Sequence, residues 1–176
     1  MRIYLILLIS TLLVAVDKLP EEIKIPKGYS VLNFTKGDLN RDKFQDAILI
    51  LKHKDEDKED YKRPLYILIG DSKGKLKVVA ENNNSVLGYS DGGIYGDPFN
   101  GVTIKKGYFS IEHYGGSNWR WTRIVTFKYN KKKNNWFLYK DGGESYHTSN
   151  PQKITTDIAT KKDFGVVPFT KYNIFK

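Results

Sequence analysis

Gly37-Asp38-Leu39-Asn40-Arg41-Asp42-Lys43-Phe44-Gln45-Asp46 runs directly into the apolar stretch Ala47-Ile48-Leu49-Ile50-Leu51. Side-chain oxygens at Asp38, Asn40, Asp42 and Asp46 occupy the first, third, fifth and ninth positions of a cation loop, with the Phe44 carbonyl at the seventh. Alternate residues of a tight turn aim their oxygens at one centre, and calcium takes about six to eight such ligands. The twelfth position, where an EF-hand carries a bidentate Glu, is Leu49, within what reads as a strand. Residues 44–51 are apolar at both parities, so this strand is central and buried on both faces. The loop therefore lies ahead of a strand and not between two helices.

The loop carries its own penalties. Its sixth position, where the backbone turns through positive φ and Gly is usual, is Lys43. A side chain there costs roughly 1 kcal/mol. Lys43 and Arg41 also set two positive charges against three carboxylates, so calcium should bind weakly, with a dissociation constant on the order of 10⁻⁴–10⁻³ M. The metal-free alternative is a turn whose carboxylates cap their own backbone amides. The pattern D-x-N-x-D-x-x-x-D entering a β-run resembles the FG-GAP or VCBS-type repeat, a calcium loop between strands of propeller-like proteins. That resemblance implies a calcium-stabilised extracellular β-protein and names no reaction.

Met1-Arg2, an apolar run from Ile3 to Val16 and the charged Asp17-Lys18 have the pattern of a secretory signal peptide. The expected organisation is a leader over 1–16 and one all-β domain over 17–176, periplasmic or secreted, with no transmembrane segment in the mature chain. Absence of Cys excludes a lipid-bearing Cys and any disulfide. The net charge of +9 suits anionic surfaces or an acidic partner. The lysines are scattered, with only Lys131-Lys132-Lys133 consecutive and in a hairpin turn, so no nucleic-acid partner is expected.

Along the chain, Tyr29–Phe34, Phe44–Leu51, Pro64–Ile69 and Lys75–Ala80 read as strands. The mixed-charge run His53–Arg63 reads as a solvated loop. Asn82–Phe99 is a long Asn-, Gly- and Asp-rich loop, a length associated with function. Hairpins follow over Val102–Tyr114 and Trp119–Lys140. After a break at Gly142-Gly143 come two short strands, Ser145–Thr148 and Ile154–Thr160, and an irregular, aromatic-anchored tail. Helical periodicity is absent, so the expected fold is an all-β antiparallel meander, a compact sandwich or two packed propeller-blade-like sheets. Gly37–Leu51, Arg63-Pro64 to Ile69, Gly92-Gly93 with Gly96-Asp97-Pro98-Phe99, and His113-Tyr114-Gly115-Gly116-Ser117 with Trp119-Arg120-Trp121 resemble a group of small exported bacterial proteins of the same VCBS or FG-GAP type. Those relatives carry a Cys-x-x-Cys whose positions here are Gly88 and Asp91.

Candidate binding residues cluster at Glu112, His113, Tyr114, Trp119, Arg120 and Trp121. Alternation puts His113 with Phe109 and Ile111, and Trp119 and Trp121 with Val125 and Phe127, on core faces. Glu112, Tyr114 and Arg120 fall on the outer face, where Arg with aromatics suits a protein or glycan contact. No Cys nucleophile, G-x-S-x-G or H-E-x-x-H occurs. The expected function is binding of an envelope polymer or an exported protein. The alternatives are a glycan hydrolase using two of Glu112, Glu144, Asp91, Asp97 and Asp141, or an inhibitor or immunity protein against a secreted toxin.

Overall fold

The computed structural model describes Leu19 and residues 23–176; the expected leader lies outside the described residues. The fold is all-β, as expected. β1 (Tyr29–Gly37), β2 (Asp46–His53), β3 (Leu65–Gly70) and β4 (Leu76–Asn82) form one antiparallel sheet in chain order. β5 (Phe99–Lys105), β6 (Tyr108–Gly116), β7 (Trp119–Asn130), β8 (Asn135–His147) and β9 (Asn150–Thr160) form a second. Both are meanders whose neighbours in sequence are neighbours in space.

Period-two patterning builds the core between them. Ile48, Ile50, Leu65 and Ile67 of the first sheet meet Phe109, Ile111, Val125, Phe127, Trp136 and Leu138 of the second. Ala47, Leu49 and Leu51 point the other way, into a smaller cluster with Leu68 and Leu76 that is flanked by Leu19, Ile23, Tyr29, Phe34 and Tyr66. β2 is therefore buried on both faces. β9 is the opposite case, an edge strand exposed along nearly its whole length and carrying Pro151, Lys153 and Asp157 against unwanted pairing. No helix of the described residues is long and apolar enough to cross a membrane.

Four expectations need correction. Gly142-Gly143 does not break the chain: β8 runs through it. A Cβ on Gly142 would lie 2.2 Å from the Asp157 carbonyl oxygen, and one on Gly143 1.8 Å from that of Thr122, so the pair admits two neighbouring strands at once. The Asn82–Phe99 segment is not featureless, since Tyr89–Tyr95 forms a 3₁₀ segment behind the buried Ser85, Val86 and Leu87. The tail contains a single-turn helix, α1 (Lys161–Phe164), closed by reciprocal Thr160–Asp163 bonds. Beyond it Phe169, Tyr172 and Ile174 enter the core.

The mixed-charge run is also not wholly solvated. Arg63 is fully buried, with Nε and Nη2 donating to Glu56 at 2.8 and 2.9 Å, and Nη1 and Nη2 donating to Asp97 at 2.7 and 2.8 Å. Nη1 also reaches the Leu87 carbonyl. Burial lowers the guanidinium pKa, but its hydrogen bonds to Glu56 and Asp97 outweigh that and hold the pKa above its ordinary value. Removing the cation strands two carboxylates. Arg63→Ala should therefore destabilise the protein by about 3–5 kcal/mol in urea unfolding. A loss under 1 kcal/mol would show that water reaches the pair.

Candidate functional site

The Gly37–Asp46 loop folds back on itself through its own side chains. Asp38 Oδ1 accepts from the Arg41 amide at 2.5 Å, Asn40 Oδ1 from the Asp42 amide, and Asp42 Oδ1 from the Phe44 amide, both at 2.9 Å. Asn40 Nδ2 donates to Asp42 Oδ2 at 2.6 Å. Arg41 and Lys43 both adopt positive φ, 65° and 75°. Lys43 thus takes the conformation that the spacing requires of a glycine; the strain at Arg41 was not foreseen.

These turns bring one oxygen each of Asp38, Asp42 and Asp46 within 4.8 Å of one another, a cluster able to hold a metal ion. Asp46 is fully buried and accepts from the Leu39 amide at 2.7 Å and the Gly70 amide at 3.0 Å. Desolvation first, then the charges of Asp42 and Asp38, raise its pKa despite those amides. Phe44 contributes its amide to the turn, and its side chain is exposed.

The loop also joins the sheets. Leu39 is buried in the shared core, its carbonyl accepts from Trp136 Nε1 at 3.0 Å, and the Asp38 carbonyl accepts from the Gly107 amide at 2.9 Å. Arg41 Nε donates to the Lys106 carbonyl at 2.9 Å.

At the far end of the second sheet lies an aromatic ledge. Gly115 of β6 has no Cβ, which would otherwise sit 2.9 Å from the Gly92 carbonyl oxygen, so the 3₁₀ segment packs directly on the strand. That packing leaves Ile94 82% and Tyr95 53% exposed. Arg120 stacks 4.2 Å above the Tyr95 ring while its Nη1 donates to the Gly116 carbonyl. Tyr114 meets Tyr95 edge-on at 5.1 Å, and a hydrogen bond with Tyr146 raises the Tyr114 phenol above its ordinary pKa. Trp119, 59% exposed, meets His147 edge-on at 5.2 Å.

The six candidate binding residues therefore divide. Tyr114 and Arg120 reach the ledge with Tyr95 and Tyr146, while Trp119 pairs with His147 on the opposite face of the same strand end; Ile94, Tyr95, Tyr146 and His147 were missed by the sequence reading. Trp119 is not a core residue: alternation assigns its face correctly, but β7 starts beyond the edge of the packed core. Trp121 does pack on the core. Glu112 sits apart, accepting from the Thr103 hydroxyl at 2.9 Å.

His113 is 1% exposed, so it is not a surface contact. Its Nε2 accepts from the Leu87 amide at 3.3 Å. Burial, followed by the charge of Arg123, lowers its pKa to about 4, and the ring is neutral at physiological pH.

Besides Glu112, three of the five carboxylates of the hydrolase alternative, Asp91, Asp97 and Asp141, are engaged. Asp97 holds Arg63, and Asp91 Oδ2 accepts from the Gly88 amide at 2.6 Å. Asp141 accepts from Arg123 Nε and Nη2 at 2.9 Å each and from the Tyr172 hydroxyl at 2.6 Å. Burial pushes the Asp141 pKa up, and these three bonds bring it below its ordinary value. No family model, curated protein sequence or solved structure matches the chain.

His113 makes stability pH-dependent. Its folded pKa of about 4 lies below the unfolded 6.5, so the unfolded chain binds the extra proton and stability falls as pH drops between the two values. About 2 kcal/mol should be lost between pH 7 and pH 5. Asp46, with its raised pKa, acts in the opposite sense. Urea unfolding of His113→Gln should show a flatter slope over this range, and an unchanged slope would remove His113 as its source.

Proposed function

We propose that this is an exported, calcium-stabilised binding module of the FG-GAP or VCBS-like type, recognising an envelope polymer or an exported protein through the Tyr95–Tyr114–Arg120 ledge and the exposed Trp119 at the same strand end. The observation that carries the reading is the ledge itself. Large aromatic groups are left in water yet held by ring and cation contacts, so little side-chain entropy remains to be lost on binding. The ties on Asp91, Asp97 and Asp141 favour binding over glycan hydrolysis. Export is supported by the leader pattern and by the calcium available outside the cytosol.

For the cation loop, the close approach of three carboxylates supports a divalent ion, and the irregular turn favours calcium over magnesium, which demands near-octahedral geometry. Calcium at tenfold its dissociation constant should add about 1.4 kcal/mol of stability, a rise of about 2–6 °C in melting temperature. Asp38→Ala should abolish that rise without unfolding the protein. Asp46→Ala should unfold it, because Asp46 also holds the Leu39 and Gly70 amides. Lys43 adopts positive φ, so Lys43→Gly should stabilise the protein and, by removing one positive charge beside the carboxylates, tighten calcium binding. Identical melting curves in millimolar calcium and in chelator would leave the loop a capped turn.

The ledge is tested by capture from a host envelope fraction. Components retained by the wild-type protein should be lost with Tyr95→Ala or Trp119→Ala, at unchanged melting temperature. Retention by both variants removes the ledge from the site. Release of new reducing ends from envelope glycan by the wild-type protein would instead establish the hydrolase.

A further inference from the structure

The lysines that are scattered in the chain converge in space. A groove of about 590 Å³ at the other end of the second sheet is lined by Lys128, Lys133, Lys140, Lys161 and Lys162, brought by β7, the β7–β8 turn, β8 and α1. Its volume falls within the roughly 300–1,000 Å³ of ligand sites. No Asp or Glu lines it. The nearest acid in sequence, Asp163, is spent on the Thr160 amide and hydroxyl, and Asp141 beside Lys140 is tied to Arg123. None of the five lysines is paired with a carboxylate among the described residues, whereas Lys54, Lys58 and Lys62 each have one. Lys131 and Lys132 extend this positive lining along the adjoining turn.

The aromatic floor narrows the ligand. Lys128 Nζ lies 5.1 Å from the Tyr108 ring centre and 5.5 Å from that of Tyr139; Lys133 Nζ lies 5.4 Å from that of Phe137. The edge of Tyr108 against Tyr139 takes up more of that surface. Ring faces covered by ammonium groups are not free stacking platforms for bases. The groove instead presents spaced point charges, and Lys, unlike Arg, reads phosphate without a planar fork.

We propose that this groove binds an extended polymer with phosphodiester groups repeated along a sugar or polyol backbone, each phosphate neutralised by one or two lysines. The inference gives the polymer half of the proposed function a site and a ligand class. It does not depend on the ledge, which lies about 30 Å away along β7, nine residues from Trp119 to Lys128.

The test is titration of the purified protein with poly(glycerol phosphate) at several salt concentrations. Affinity should fall steeply with salt, as counterion release requires. The combined variant Lys140→Gln, Lys161→Gln and Lys162→Gln should bind at least tenfold more weakly with a shallower salt slope, at unchanged melting temperature. A control of equal charge loss elsewhere, Lys73→Gln, Lys77→Gln and Lys153→Gln, should stay within twofold of wild type, as should Trp119→Ala. Equal weakening in the lysine control would reduce the effect to net charge and overturn the site. Tighter binding of oligo(dT) at equal phosphate would assign the groove to single-stranded nucleic acid, and tighter binding of phosphatidylglycerol vesicles would assign it to a membrane. No binding to any of the three at low salt would end the proposal, while loss of binding in Trp119→Ala alone would transfer it to the ledge.

Discussion

A guanidinium sealed from water must keep its charge, and the fold is arranged so that Arg63 can. Glu56 comes from the β2–β3 connection, and Asp97 and the Leu87 carbonyl from the β4–β5 connection. Arg63 itself sits two residues before β3. One side chain thus fixes both long loops of the molecule against the start of a central strand. The two carboxylates compensate the buried cation only together, since either alone leaves part of the guanidinium fork without an acceptor. His113 lies on the same network through the Leu87 amide, and the neighbouring positive charges of Arg123 and Arg63 help keep it neutral. The consequence reaches the surface. Asp97 closes the segment that carries Ile94 and Tyr95, so the geometry of the ledge is inherited from an ion pair buried behind it.

The cation loop shows the same economy at the other end. Asp46 is the ninth-position ligand of the pattern and also the acceptor that holds Leu39 and Gly70 in place. Leu39 is in turn the residue through which the loop enters the common core and meets the indole of Trp136. The structural and metal-binding readings of the Asx residues are therefore not exclusive. Each carboxylate oxygen has a second lone pair after serving a backbone amide, and the repulsion from Asp42 and Asp38 that adds to burial in raising the Asp46 pKa is the repulsion a cation would relieve.

How much of this was legible follows from the range of each interaction. Local patterning gave the fold class, the doubly buried β2 and the aromatic anchoring of the tail, because period-two burial and turn composition act within a few residues. The pair Gly142-Gly143 was misread because glycine marks a turn and a close strand approach with the same letter. Trp119 was misread because alternation gives a face and not the point where the core ends. Arg63 carried no local sign, being the last residue of a charged run whose other members are mostly solvated. Arg63, Asp97 and His113 come from three segments far apart in the chain, and only the fold brings them to one buried network.

The lysines follow the same logic at longer range. Lys128, Lys133 and Lys140 lie close in the chain but Lys161 follows 21 residues after Lys140, and nothing local in the sequence shows that their side chains line one groove. The β7–β8 hairpin and the return of the chain along β9 into α1 bring them together. Tyr108 ties this surface to the cation loop. The loop's Arg41 lies 5.8 Å from one ring centre and Lys128 lies 5.1 Å from the same centre. The Gly107 amide beside Tyr108 donates to Asp38, while the Gly107 carbonyl accepts from Tyr129. A turn that draws three carboxylates together on one side therefore positions an aromatic ring under two cationic side chains on the other. Loop docking and the charged surface are two faces of one short segment.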